Sequence, residues 1–546
     1  MGMEKETHVK KDVKKEVKTQ VKDLKDTKPK VEKVITEKKI EKIKEMIKEK
    51  LMEKYELNID QVPTKIEILK VPNEFVPIYR LTFPQIEKAT RAVLDDIRER
   101  MLTDLMIKPV EVLDPGEINK LKVEFKDKSV PMIKEELPNL SDNDVEILSG
   151  ILLHKSLGLG AIEIMLQDRN LEEVVINGSK QPIWVYHRSL GWLKTNIPVN
   201  SETEIYNYAA LIGRRVGTQI SHLNPLMDAY LSSGDRANAT LFPISSIGNT
   251  LTIRKFARRP WTMTDFLKSG TISMDVTAFL WLAIQYEMNI IIPGGTASGK
   301  TSMLNALACF ISPNHRLISI EDTRELQLPK YLQWIPMTTR PPNTEGKGEI
   351  TMLQLIINAL RMRPDRVIVG EIRRKKEAEV LFEAIHTGHS VYSTVHANTA
   401  EEAYVRLTNP PINIPVAMLN ALQLIVVMHR DRRRDLRRVV QVTELISSGL
   451  DDMKIELNTI FRWSPSTDQI MKYGKSRRAM DEIKMFSGMD DKEIERNLSE
   501  KITVLKWFLK NDVLDNNVIG NIVSRYYTNE DEVLRKVQRG TLKPEE

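Results

Sequence analysis

The chain has 546 residues, 81 basic and 75 acidic, for a net charge of +6, with 41% hydrophobic and 29% charged residues. That length implies two or three domains, and so mild a charge permits an anionic partner without requiring one. The single cysteine, Cys309 between Ala308 and Phe310, excludes an internal disulfide framework and a multi-cysteine zinc site, and reads as a reduced core thiol.

The first 55 residues form a charged, low-complexity extension. Val9, Val13, Val17, Val21 and Leu24 recur at helical spacing, Pro29 interrupts them, and Ile40, Ile43, Ile47 and Leu51 resume as an amphipathic helix. These lysine- and glutamate-dense residues do not read as a secretory signal. Residues 56–257 are mixed α/β. LEEVVINGSKQPIWVYHRSLGWLKT (171–195) reads as short strands with Asn177-Gly178 as turn punctuation; SETEIYNYAALIGRRVG (201–217) reads as a helix capped by Ser201; NTLTIRKF (249–256) reads as a strand. ARRPWT then changes the texture, placing an interdomain linker at 258–264. From 265 to 546 apolar runs of strand length alternate with helical patterns, implying βα units and a parallel sheet, with a charged helical part over 480–540. The longest apolar runs, such as FLWLAI at 279–284, fall well short of the ~20 residues a membrane span needs. The expectation is a cytoplasmic protein.

NIIIPGGTASGKTSMLNALACF (289–310) is strand, glycine-rich loop, then helix, the context a phosphate loop requires. Gly294 and Gly299 let the backbone wrap phosphate, with Gly295, Thr296, Ala297 and Ser298 completing the loop. Lys300 can reach the β and γ phosphates, Thr301 can ligate Mg2+, and Ser302 follows in the first helical turn, where the helix field favours an anion. ATP and Mg2+ are therefore the expected ligands.

Three further apolar runs end in polar groups. Leu317–Ile320 ends at Glu321-Asp322, Val367–Val369 at Gly370-Glu371, and SVYSTV at His396. In an open parallel sheet, ligands sit beyond the carboxyl ends of the strands, so four such ends within about a hundred residues point to one site. Phosphoryl transfer to water needs charge clamps and a group that orients the water. Glu371 is the candidate for the water, and Glu321 for magnesium through its water shell, supplying the charge that Gly370 lacks. Asp322 is a candidate cap of the next turn. The cluster His386, His389 and His396 leaves open a γ-phosphate sensor, a metal site and ordinary core histidines.

The set GGTASGKT, ISIEDTRELQL, RPDRVIVGEIR and HTGHSVYSTVHANT resembles the hexameric traffic ATPases of type II and type IV secretion, pili and archaeal filaments, over residues 140–450. Gly370 fits the degenerate second motif of that group. Within it, TTRPPNTEGKGEITMLQLIINALRMRPDRVIVGEIRR (338–374) most resembles the archaellar motor ATPase, which drives assembly and rotation of the archaeal swimming filament. The resemblance implies an N-terminal α/β domain and a RecA-like ATPase domain joined by a flexible linker, with nucleotide between them. It also implies rings of six copies and peripheral docking, on the inner face of the cell membrane, to an integral platform protein and other archaellum motor components. Arg236 and Arg254 match arginines that complete the site in the family, although Gly234-Asp235-Arg236 departs from the usual glycine-serine-arginine order. Arg361 and Arg363 are weaker candidates.

Other readings carry less. ATPases of archaeal pilus assembly or type II-like secretion share the motifs. The basic runs RRP, RRK and RDRRRDLRR invite a nucleic-acid translocase but lack interleaved aromatics, so no nucleic acid is expected. A guanine switch lacks its NKxD motif, and a non-hydrolysing scaffold leaves Glu371 unexplained.

Overall fold

The computed structural model describes residues 49–72, 74–84, 86–104, 115–156, 159–231, 234–256, 259–342, 346–434, 436–447 and 454–543. The chain divides into two compact units, with the break between Lys255 and Phe256. The valine seam, Ile40, Ile43, Ile47 and the linker's Arg258 lie outside the described residues.

The first unit is built on a nine-stranded sheet of β1 (Lys50–Ile59), β2 (Val62–Lys70), β3 (Ile78–Thr82), β4 (Leu171–Asn177), β5 (Pro182–His187), β6 (Gly191–Pro198), β7 (Leu226–Tyr230), β8 (Arg236–Thr240) and β9 (Thr250–Arg254). The order is β1-β2-β3-β6-β5-β4-β9-β8-β7, antiparallel except for the β3–β6 pair. Leu51, expected on a helix, stands instead on β1. From Glu53 to Ile59 burial alternates residue by residue, so the period of two overrides the weaker helical spacing. Asp60 and Gln61, both at positive φ, turn β1 back onto β2 as a tight hairpin. The helix Glu202–Arg215 is capped by Ser201, whose Oγ accepts from the Glu204 amide at 3.1 Å. It buries Ile205, Ala209 and Ile212 against the sheet.

The second unit carries β10 (Ile290–Pro293), β11 (Arg316–Glu321), β12 (Gln333–Thr338), β13 (Arg366–Val369), β14 (Ser390–Val395), β15 (Leu424–Asp431), β16 (Leu436–Ser447), β17 (Ile455–Ser464) and β18 (Gln469–Lys472). Their order is β12-β11-β13-β14-β10-β15-β16-β17-β18. The six strands from β12 to β15 run parallel, and an antiparallel meander continues from β15 to β18. Every residue of β10, β13 and β14 is buried, as a parallel sheet covered on both faces requires. The apolar helix Met274–Gln285 lies between this sheet and the C-terminal helices. There Trp281 stacks on Phe310 at 4.9 Å and its Nε1 donates to Tyr527 Oη at 2.9 Å. The architecture is α/β, a RecA-like sheet in one unit and a mixed α/β layer in the other. Among the described residues no single helix is long and apolar enough to cross a membrane.

Candidate active site

β11, β13, β14 and β10 are consecutive neighbours and parallel. Their carboxyl ends therefore lie along one edge of the sheet. The four sequence segments with polar ends share that edge.

The phosphate loop leaves β10 at Gly294, where only glycine fits. A Cβ there would stand 2.4 Å from Ser298 Oγ and 2.7 Å from the Met428 carbonyl oxygen. Ala297 at φ +59° and Gly299 at φ +94° turn the loop through left-handed backbone into the helix Lys300–Ala308. The open amides of its first turn then face the loop. Lys300 Nζ donates to the carbonyls of Gly294 and Gly295 at 2.9 and 3.1 Å. Burial holds this amine below the usual lysine range, while Glu371 pulls the other way. Thr301 and Ser302 sit half-buried in the same turn.

Glu321, the last residue of β11, is only 2% exposed. Its Oε1 accepts from the amides of Glu325 and Leu326 at 2.9 and 3.1 Å, but its Oε2 is buried without a partner. Burial pushes this carboxyl up to about 7. A Cβ at Gly370 would stand 3.5 Å from Glu321 Cγ. The Glu321 carboxylate at the end of the neighbouring strand thus lies beside the position where β13 has only Gly370.

Glu371 is gripped from both sides. Its Oε2 accepts from Nε and Nη2 of Arg373 at 3.0 and 2.7 Å, and its Oε1 lies 3.1 Å from His396 Nε2. Arg373 Nη1 continues to Asp322 Oδ2 at 2.6 Å. Asp322, expected to cap a turn, instead ties β11 to β13 through this arginine and also accepts from Thr339 Oγ1 at 3.2 Å. Burial and the Lys300 ammonium hold His396 below the usual imidazole range, against the pull of Glu371.

The other two histidines part from this group. His386 and His389 precede β14, whereas His396 follows it, so they stand at the opposite end of the strand. His386 Nε2 meets the Met418 carbonyl at 3.2 Å, and His389 Nδ1 meets the Ala384 carbonyl at 3.0 Å. Arg361 and Arg363 likewise precede β13 and sit at its amino end, away from Glu371. Arg236 and Arg254 belong to the first unit, where they pair across β8 and β9. Both are exposed, and Arg236 Nε also bonds Asp228 Oδ1 at 2.8 Å, with its guanidinium 5.4 Å from the Tyr230 ring centroid.

Sequence reading missed Arg373 and Asn398. The first was signalled by its spacing, since i and i+2 in an extended segment share a side. Asn398 Oδ1 would lie 3.4 Å from a Cβ at Gly295, with Nδ2 donating to Glu402 Oε2 at 3.1 Å.

The residues present fit a magnesium triphosphate on three observations. The loop is a cradle that a single Cβ at Gly294 would fill. Ser298 Oγ is buried without a partner, and so is Oε2 of Glu321. A desolvated carboxylate oxygen of this kind is what a hydrated cation satisfies. Thr301 and Glu321 would hold the ion, and Gly294–Ser302 the phosphates.

Residues 236–504 match the family model described as type II/IV secretion system protein. An uncharacterized protein of Methanocaldococcus jannaschii is 34% identical over 383 residues, 69% of each chain. The type IV secretion system protein VirB11 of Bartonella henselae is 30% identical over 50% of this chain and 84% of its own. Among solved structures, the pilus retraction motor PilT with bound ADP aligns with 69% of this chain and 96% of that one, at 17% identity and a TM-score of 0.39.

Proposed function

Starting from the premise that the chain belongs to the type II/IV secretion ATPase family, whose members hydrolyse ATP, we propose that it is the hexameric motor that assembles and rotates an archaeal swimming filament. It would act from the cytoplasmic face of the membrane, docked on an integral platform protein and other archaellum components. The motif set over residues 338–374 supports the archaellar assignment. The Glu371 constellation supports the turnover itself.

Bound Mg2+ would neutralise charge on the triphosphate and fix its orientation. The chain's own residues do the rest. Lys300 exchanges its two loop carbonyls for phosphate oxygens. Glu371, fixed by Arg373 and His396, orients and polarises the attacking water. His396, held below the usual imidazole range by burial and the Lys300 ammonium, meets Glu371 across 3.1 Å. Arg236 and Arg254, side by side on β8 and β9, would supply positive charge to the transition state, a role worth roughly three to five orders of magnitude in rate.

The experiment is a chromosomal Glu371→Gln replacement together with an assay of the purified variant. ATP binding is expected to survive while turnover falls at least about a hundredfold. The cells are expected to lose both filaments and swimming. Normal swimming with absent pili or blocked secretion would move the assignment to those machines. Near-normal hydrolysis would remove Glu371 from the mechanism.

A further inference from the structure

The basic hairpin RDRRRDLRR (430–438) has no part in the scheme above. β15 lies on the side of β10 away from β14, in register Ile290↔Leu424, with Gly294 bridging to Met428. It therefore carries the hairpin along the phosphate loop on the flank opposite His396 and Glu371. The two adjacent arginines at the start of β16 differ sharply. Arg438 is buried and consumed by structure. Its Nε and Nη2 donate to the two carboxylate oxygens of Asp468 at 2.8 and 2.7 Å, and its Nη1 to the Ser269 and Arg437 carbonyls at 3.2 and 2.8 Å.

Arg437 turns to the phosphate loop. Its Nε donates to the Ala297 carbonyl at 3.2 Å, and its Cδ lies 3.8 Å from where a Cβ of Gly299 would stand. Ala297 is the residue held at φ +59°, a conformation disfavoured for a residue with a Cβ. Among the described residues the two terminal nitrogens of Arg437 carry no hydrogen bond and no carboxylate reaches them. A half-buried guanidinium fork stands beside a phosphate cradle with its planar donors unused.

We propose that Arg437 is a further nucleotide-binding residue, fixing the loop through Nε and taking the phosphate nearest the nucleoside with its terminal N–H groups. The direction follows from the layout. Glu371, Arg373 and His396 mark the reacting end of the phosphate chain on the β13–β14 flank. A triphosphate crossing the loop has its other end toward β15. The ligand class is nucleoside di- and triphosphates, and the inference rests on the ATP-site reading above. A contact at the end that ADP and ATP share acts on both alike.

Binding of fluorescent ADP and ATP analogues to the full-length protein tests this, with wild type, Arg437→Ala, Arg437→Lys and Lys300→Ala compared and kcat measured at saturation. Arg437→Ala is expected to weaken ADP and ATP equally, by about tenfold or more, the scale of one charged hydrogen-bonded contact. Its kcat should stay within about threefold, and Arg437→Lys should recover part of the affinity because the charge remains. Unchanged ADP affinity, a loss confined to ATP, or a fall in kcat and thermal midpoint at constant affinity each overturn the proposal alone. Equal ADP binding by wild type and Lys300→Ala overturns the nucleotide site itself, and this proposal with it.

Discussion

Glu321→Gln is expected to move stability and function in opposite directions. The side chain is 2% exposed, and burial raises its carboxyl from 4.5 to about 7. The folded state then binds the proton more tightly than the unfolded state between those pH values. Stability is fully present below pH 4.5 and falls as pH rises through 7. The shift of about 2.5 units, at 1.36 kcal/mol per unit, makes the ionised, metal-free carboxylate cost about 3 kcal/mol above pH 7. A glutamine keeps a carbonyl for the Glu325 and Leu326 amides and carries no charge to desolvate. At pH 8 without magnesium the variant should unfold at a higher temperature than wild type, by about 6 °C at ~2 °C per kcal/mol for a large domain. Near pH 4.5 the two should coincide. With magnesium and ATP the order reverses in function. Wild type gains a partner for Oε2, whereas the variant loses magnesium-dependent turnover by at least about tenfold. Thermal melts from pH 4.5 to 8.5 with parallel ATPase rates read both effects. A variant that melts at or below wild type at pH 8, or that hydrolyses ATP normally, refutes the reasoning.

Three other outcomes are expected. Arg373→Ala should leave ATP affinity within about twofold and lower kcat about ten- to a hundredfold, because it releases the Glu371 carboxylate and cuts its link to Asp322; a raised KM at constant kcat would make Arg373 a substrate ligand instead. Arg236→Ala and Arg254→Ala should each lower turnover at least about a hundredfold with nucleotide binding retained, and a wild-type rate in either would discharge that arginine from the site. Lys501, fully buried over the rings of Trp281 and Tyr526, has its amine pushed down to about 7 by burial. Its folded pKa is depressed, so stability rises with pH from 7 toward the ordinary lysine value, and Lys501→Met should match or exceed the wild-type melting temperature at pH 7. A drop of more than a few degrees would show that the ammonium is a net stabiliser.

The parts of the site that sequence revealed are those encoded locally. A fully buried parallel strand reads as a short apolar run, and its last residue falls at the ligand edge whatever the partners are. That logic found Glu321, Glu371, His396 and the phosphate loop without any strand order. It failed where position along a strand was confused with position in space. His389 and His396 bracket six residues of β14, about 20 Å at 3.3 Å per residue, so a cluster in sequence is two opposite edges in the fold. It also failed where the contact depends on pairing between distant strands. Arg437 reaches Ala297 only because β15 adds to β10 and β16 folds back on β15, and no spacing within RDRRRDLRR distinguishes it from Arg438. At the amino end, helical spacing put Leu51 on a helix, whereas pairing with β2 places it on a strand.

The two carboxylates at the candidate site differ sharply in environment, and the roles proposed for them follow that difference. Glu371 has a partner on both oxygens, the Arg373 guanidinium on Oε2 and the His396 ring on Oε1, so its position is fixed and the guanidinium already answers its charge; such a group has little left for a cation. Glu321 is desolvated, answered only by two neutral amides, and has an oxygen with nothing to bind. In a low-dielectric site an uncompensated carboxylate either keeps its proton or acquires a cation. Placing an aspartate at Gly370 would add a second acid where its Cβ would stand 3.5 Å from Glu321 Cγ, and two like charges so close cannot both ionise without cost. Glycine at 370 and glutamate at 321 are therefore one arrangement. Gly370→Asp should impair magnesium-dependent turnover unless Glu321 is neutralised at the same time, and full activity in the single variant would show that the two positions are independent.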